Sequence, residues 1–340
     1  MLQRFTLSLV LATTVTVSLA LAAPAEDLVV ANAISNTLDR VSTQGRGSVT
    51  TIRQYTTAPF DVVVSADGPT AYVSLPANSS VEAVNLATGT VTSIPTGASP
   101  QKMALNGNGT RLYVATSIGI TTIDTASNTA VAAESISLTE SATSVDVFGA
   151  FLAAGTTDSV CLFDVSGTPP FQLGCRTIGA RVHKVLFATG GTTLYTALAT
   201  RASGIDENGN PTDFGNVHVF RVSSLNLKTV VDLGFFELQD MTIRDTYIGA
   251  PSQDGNVYWI DTATDTVATT TLIPHCCALA DIALGQQLYI GNQTFNEIQI
   301  VRLGRSPEND RVDGTIPLSG APQGIAVIPT SPKGKGKPQN

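Results

Sequence analysis

Three histidines, four cysteines and a set of charged residues that recurs along the chain are the groups through which this 340-residue protein could do chemistry. Asp61, Lys102, Lys184, Asp240 and Asp281 each open a short apolar segment, with Ser144 and Gly324 in the equivalent place, at intervals of roughly forty residues. Side chains that recur in this way converge when the repeats are arranged about an axis. Converging charges at the rim of a narrow channel lose part of their solvent screening, so their mutual fields shift acidities enough for proton transfer or for anion or metal binding. Asp240 and Asp281, from consecutive repeats, are flanked by Lys184 on one side and by the space at Gly324 on the other; they form the best acid/base or metal-binding pair in the sequence. His183 and Lys184 join them as candidate catalytic residues, while Asp61, Lys102, Arg181, Gln239 and His275 are candidate ligand-binding residues around the same mouth. The plainer reading is that the ring of charges neutralises itself and holds water.

Other chemistry is thinly represented. The chain contains no Gly-x-Ser-x-Gly elbow, P-loop, dinucleotide fingerprint or His-Glu-x-x-His helix, so an organic cofactor is not expected, and no ligand motif calls for a divalent metal. His218, within Asn216-Val217-His218-Val219-Phe220, reads as a histidine packed between repeats. Asp206-Glu207-Asn208-Gly209-Asn210 has a faint likeness to a calcium loop, but Pro211 stands where such a loop needs Gly and Val217 where it needs Glu. The insertion that carries it, from Ala199 to Gly215, is expected to be a polar lid or surface loop. Of the cysteines, Cys161 and Cys175 fall on adjoining strands and are placed for a cross-strand bridge, which leaves Cys276 and Cys277 as a vicinal bridge or two free thiols. Asn78, Asn108 and Asn292 head Asn-x-Ser/Thr sequons in segments read as loops.

These groups need a scaffold, and the repeats supply one. A strand ending in a small residue recurs as LVVAN from Leu28, AYVSL from Ala71, LYVAT from Leu112, FLAAG from Phe151, LYTAL from Leu194, TYIGA from Thr246 and LYIGN from Leu288. Each lies within a unit of four short strands, and a period near forty with four strands per unit is the signature of propeller blades. A single unit has two apolar faces and buries neither alone, so the units must stack radially. Ala66-Asp67-Gly68, Asn106-Gly107-Asn108-Gly109 and Thr189-Gly190-Gly191 supply the hairpin turns, with Asp124 and Asp261 as turn formers further along. The chain starts at a second strand and ends with an unaccompanied innermost strand, Gly324 to Ile328, which is expected to pair with Leu28 to Asn32 and close the circle. The predicted fold is all-β, a seven-bladed β-propeller of four-stranded blades.

Across the whole predicted mature chain these units resemble the YVTN-type β-propeller repeat. The resemblance rests on Gly97-Ala98-Ser99-Pro100, Asp67-Gly68, Ala31-Asn32 with Ser35-Asn36, and Ile260-Asp261-Thr262; it departs at Phe151 to Gly155 and in the long fifth interval. It implies the fold and leaves function open, since such propellers include surface-layer proteins, ligand-binding scaffolds and lactonase-type enzymes.

The chain ends set the compartment. Arg4 precedes an apolar run from Phe5 to Ala23 closed by small residues, so residues 1–25 read as a signal peptide, 26–330 as the propeller and 331–340 as a basic disordered tail bearing Lys333, Lys335 and Lys337. Export follows, with no membrane span after cleavage. With 27 acidic and 19 basic side chains the surface does not suit nucleic acid. The expectation is a secreted, monomeric propeller that binds a small molecule or protein over one face. Two alternatives stand beside it: a lactonase-like hydrolase, cyclase or isomerase working at the channel mouth, and a structural component of the cell envelope.

Overall fold

In a computed structural model, which describes residues 26–44, 47–205, 211–234, 237–273 and 279–329 and leaves aside the side chains of 204–205, 211–214 and 279–281, strand Asp27–Asn32 sends its side chains alternately to two sides. Val29 and Ala31 enter one buried cluster with Val62 and Val73, whereas Leu28 and Val30 enter another with Tyr289, Ile298 and Ile316. A strand buried on both faces has to be apolar at nearly every position, which is how LVVA reads. The same division recurs around the molecule. Seven apolar clusters, one between each pair of neighbouring sheets, make up the core.

The seven antiparallel sheets are the blades, numbered here in chain order. Blade 1 is built from both ends of the chain, in the order Pro322–Ile328, Asp27–Asn32, Thr37–Ser42, Ser48–Gln54. Its closing register pairs Leu28 with Val327 and Val30 with Ile325, as expected from the sequence. The innermost strands of blades 2 to 7 are Val62–Val64, Met103–Leu105, Ala142–Phe148, Val182–Phe187, Thr242–Arg244 and Leu279–Leu284. Blade 3 differs at its outer edge. There the fourth strand is split into Thr129–Ala130 and Ile136–Ser137 around a short 3-10 turn. Among the described residues no helix is long and apolar enough to cross a membrane.

Tyrosines of the repeated second strands tie blades together. Tyr72 of blade 2 donates to Asn128 of blade 3 at 3.1 Å, Tyr195 of blade 5 donates to Asp265 of blade 6, and Tyr289 of blade 7 donates to Glu26 beside blade 1 at 2.8 Å. Glu26 is buried at the closure seam, where its carboxylate also accepts the Gln286 amide at 2.8 Å and its own amide donates to Thr43.

Three expectations change. The Ala199 to Gly215 insertion is an extension of blade 5 rather than a loop: strands Thr193–Ile205 and Pro211–Arg221 continue past the sheet, with Ala202 opposite Gly215 and Ser203 opposite Phe214. The pairing there is irregular, with register shifts between Ala197 and Ala202 and between Ser203 and Ile205, because the insertion adds more residues to the first strand than to the second. Residues 206–210, with the calcium-like sequence, lie outside the described residues, as do His275, Cys276 and Cys277. Asn292 is not in a loop. It ends strand Leu288–Asn292 fully buried, and its side-chain oxygen accepts the amides of Thr294 and Phe295; Asn78 and Asn108 are exposed. Finally, Gly324 opens no space, because a β-carbon there would stand 2.9 Å from the Asp61 α-carbon, so it marks a close backbone approach between blades 1 and 2.

The bridge between Cys161 and Cys175 is present, joining residues directly opposite each other on the third and fourth strands of blade 4 with α-carbons 4.0 Å apart. His218 is packed as expected, fully buried, with Nε2 3.1 Å from the Ala202 carbonyl at the root of the long hairpin. The seam yields a test. Tyr289→Phe removes a donor from a buried carboxylate and should lower the unfolding free energy by about 1–3 kcal/mol, while Tyr72→Phe, whose acceptors lie on a surface turn, should cost under about 1 kcal/mol; urea unfolding of the two variants compares them directly.

Candidate binding site at the channel mouth

The innermost strands begin at one face of the propeller, and their first residues meet around the axis. Lys102 of blade 3 reaches across the channel to Asp240 of blade 6, Nζ to Oδ2 at 2.9 Å, and stands 3.9 Å from Asp61 of the neighbouring blade 2. Lys184 of blade 5 takes the other oxygen of Asp240 at 3.0 Å. Asp61, Lys102 and Asp240 are all buried, and among the described residues two carboxylates face two ammonium groups here. Backbone amides complete the cluster: Met103 donates to Asp61 and Met241 to Asp240, each at 2.7 Å. Ser144, expected in the same ring, is turned into the scaffold and accepts the Val185 amide at 3.0 Å. Asp281 falls on the innermost strand of blade 7, and its side chain is outside the described residues.

The acidities follow from burial and pairing. Burial opposes the Asp240 carboxylate, but Lys102 and Lys184 outweigh it and hold the group below the ordinary range. Burial likewise opposes the Lys102 ammonium, and the attraction of Asp240 and then Asp61 overcomes it, so Lys102 is raised. Asp61 has the longer contact to Lys102, with weaker help from Lys184 and the Met103 amide. Its burial is not fully offset, and its pKa is raised. Asp240 therefore stays ionised with both oxygens engaged, which is the state of an anchor and a poor state for a general base.

Above this floor stand the residues one position earlier on each strand, of which all but the buried Thr143 are partly exposed. Phe60, Gln101, Thr143, His183, Gln239 and Gln323 line a pocket of about 270 Å³ with Lys102 at its base. Arg181 and Glu237 stand further out on blades 5 and 6 and complete the wall. Several of these groups are held in place: Arg181 donates to Gln101 of blade 3 at 2.9 Å, Gln293 donates to Gln323 at 2.7 Å, and the Thr143 hydroxyl bonds the Gly155 carbonyl at 3.0 Å. His183 Nδ1 lies 3.2 Å from the Leu238 carbonyl and 3.3 Å from Glu237. Burial, reinforced by Arg181 and Lys102 against the pull of Glu237, keeps the His183 pKa below its usual value, so the ring is neutral at neutral pH.

Sequence reasoning named His183, Lys184, Arg181, Gln239, Asp61, Lys102 and Asp240 as candidates, and the structure brings these seven together. It missed Gln101, Thr143, Gln323, Phe60 and Glu237. All but Glu237 hold the same repeat position, directly before the ring, and that regularity was there to be read. Asp146 was also missed. It lies two residues beyond Ser144, accepts the Phe187 amide at 2.7 Å, and burial raises its pKa from 3.8 to about 6. Among the described residues, no group of three or more His, Cys, Asp or Glu side chains could hold a metal ion.

No protein-family model matches the chain, and neither does any curated protein. Solved structures with similar folds include the periplasmic gluconolactonase of Pseudomonas aeruginosa, at 14% identity over 90% of this chain and 99% of that one with a TM-score of 0.64. Apo AztD of Citrobacter koseri matches at 10% identity over 89% and 98% with a TM-score of 0.61, and Kuenenia stuttgartiensis hydrazine synthase at 17% over 80% and 90% with a TM-score of 0.64. At these identities the likeness is one of fold.

Asp146 gives the site a pH signature. A carboxylate whose folded pKa is raised contributes stability that is full below its unfolded value of 3.8 and is lost as pH rises through about 6. Asp146→Asn keeps an acceptor for Phe187 and removes the charge. It should stabilise the protein by about 1 kcal/mol at about pH 8, allowing for water in the channel, and have no such effect near about pH 4, as measured by urea unfolding at both values.

Proposed function

We propose that this protein is an exported β-propeller that binds a small polar molecule in the cup at its channel mouth. The observation that carries the reading is the Lys102–Asp240 pair, which blocks the axis beneath the pocket and turns a channel into a blind, hydrogen-bonding cup. A volume of about 270 Å³ suits a metabolite better than a drug-sized ligand or a peptide. Amide and imidazole groups held by neighbouring blades are set in place before a ligand arrives, which lowers the ordering cost of binding. Export is supported by the apolar N-terminal run and by the Cys161–Cys175 bridge, which suits an oxidising compartment.

A hydrolase is the second reading, favoured by one feature. Glu237 lies against Nδ1 of a neutral histidine in the pocket wall, an arrangement that could orient His183 as a general base toward water and a small lactone. The gluconolactonase among the similar folds makes that substrate class worth assaying.

Binding is tested by calorimetry of the mature protein with a panel of polar metabolites. Gln239→Trp, which fills the cup from blade 6, should abolish the binding of any ligand found, and Val49→Ser on the outer edge of blade 1 should leave it unchanged; binding that survives Gln239→Trp places the site elsewhere. Turnover of glucono-1,5-lactone that falls about 100-fold or more in His183→Ala would establish the hydrolase in place of the binder.

A further inference from the structure

The charges of the cup divide into two sets. In the floor, among the described residues, Lys102 and Lys184 are engaged by Asp61 and Asp240, with Asp146 close enough to feel Lys184. Among the described residues the wall keeps one cation and one anion, Arg181 on blade 5 and Glu237 on blade 6, and His183 feels both. A ligand with a single charge would pair one of these groups and desolvate the other without compensation, at a cost that grows as water leaves the cup. A ligand carrying both signs pairs each.

We propose that the cup is built for a small zwitterion, an α-amino acid, with its carboxylate on Arg181 and its ammonium on Glu237. The inference rests on the mouth cup being the binding site. Arg181 offers a planar fork of donors of which one nitrogen is committed to Gln101, and Gln101 in turn fixes the fork's direction. On the other side, His183 Nδ1 faces two acceptors, the Leu238 carbonyl and Glu237, so that nitrogen carries the hydrogen of the neutral ring and Nε2 is left as an acceptor. An ammonium group has three donors and no acceptor, which suits the Glu237 carboxylate, while Nε2, on the far edge of the ring, is left to accept from a donor elsewhere on the ligand. Phe60 adds an apolar wall for the side chain, and the amides of Gln101, Gln239 and Gln323 accommodate polar substituents.

The test is calorimetric titration of the mature wild-type protein with L-alanine, L-serine and L-glutamine, with propionate and propylamine as single-charge controls, and with D-gluconate and glucono-1,5-lactone. At least one amino acid should bind about tenfold or more tighter than either single-charge control, and Arg181→Gln and Glu237→Gln should each weaken it about tenfold or more, with Arg181→Lys retaining part of the affinity. Melting curves confirm that the variants are folded. The zwitterion proposal is overturned if propionate matches the amino acids, if Glu237→Gln leaves affinity unchanged, or if gluconate or the lactone binds and the amino acids do not; in that last case the cup remains a binding site for another class. If no panel member binds, the zwitterion proposal falls, and only the wider metabolite panel decides whether the cup binds anything.

Discussion

The ion pair between Lys102 and Asp240 is the interaction on which the site depends. It joins blades that are not neighbours, and it does so on the axis, where a seven-bladed propeller has no backbone of its own to fill the space. Burying two charges there is unfavourable unless each is fully partnered, and the surrounding groups meet that condition: Lys184 and the Met241 amide serve Asp240, while Asp61, itself held by the Met103 amide, stands beside Lys102. The described groups of the cluster bond one another across the axis. Its consequence is a floor, and with a floor the ring of residues above becomes a cup rather than the lip of a water-filled pore.

The walls of the cup are only as well placed as the blades that carry them. Each blade is held to the next by an apolar cluster, and several interfaces add a tyrosine whose hydroxyl crosses to the neighbouring blade. The seam between the two chain ends receives the most elaborate treatment, with Glu26 accepting Tyr289 and the Gln286 amide next to a four-strand register shared by both termini. A cup assembled from six blades needs that closure, because opening one interface would move groups on both sides of it.

Most of the fold was legible in the sequence because its signals are local and repeated. LVVAN, LYVAT and their relatives are apolar at nearly every position since both faces are covered, and the unaccompanied strand at the far end had one partner left to take. The site was legible in part. The repeat placed Asp61, Lys102, Lys184 and Asp240 in one ring, yet their pairing across the channel depends on side-chain length and on which blades face each other, and neither is written in the spacing. Reading the ring as the accessible layer was the main error. Backbone direction puts the residue just before it, as at Gln101 and His183, on the open side, while the ring itself packs inward. The blade 5 insertion was misread for a different reason: polar and glycine-rich composition resembles a loop, and only the pairing of Ala202 with Gly215 reveals a hairpin.

The central claim, that Lys102 and Asp240 act as one unit across the axis, is tested most directly by a double-mutant cycle on unfolding free energy with Lys102→Met, Asp240→Leu and the two combined. Each single change leaves buried charge without its partner, so the account predicts that the double variant loses less stability than the two single losses together, by about 1–3 kcal/mol. Losses that add to within about 0.5 kcal/mol would show that the two residues do not interact, and the floor of the cup would have to be explained in another way.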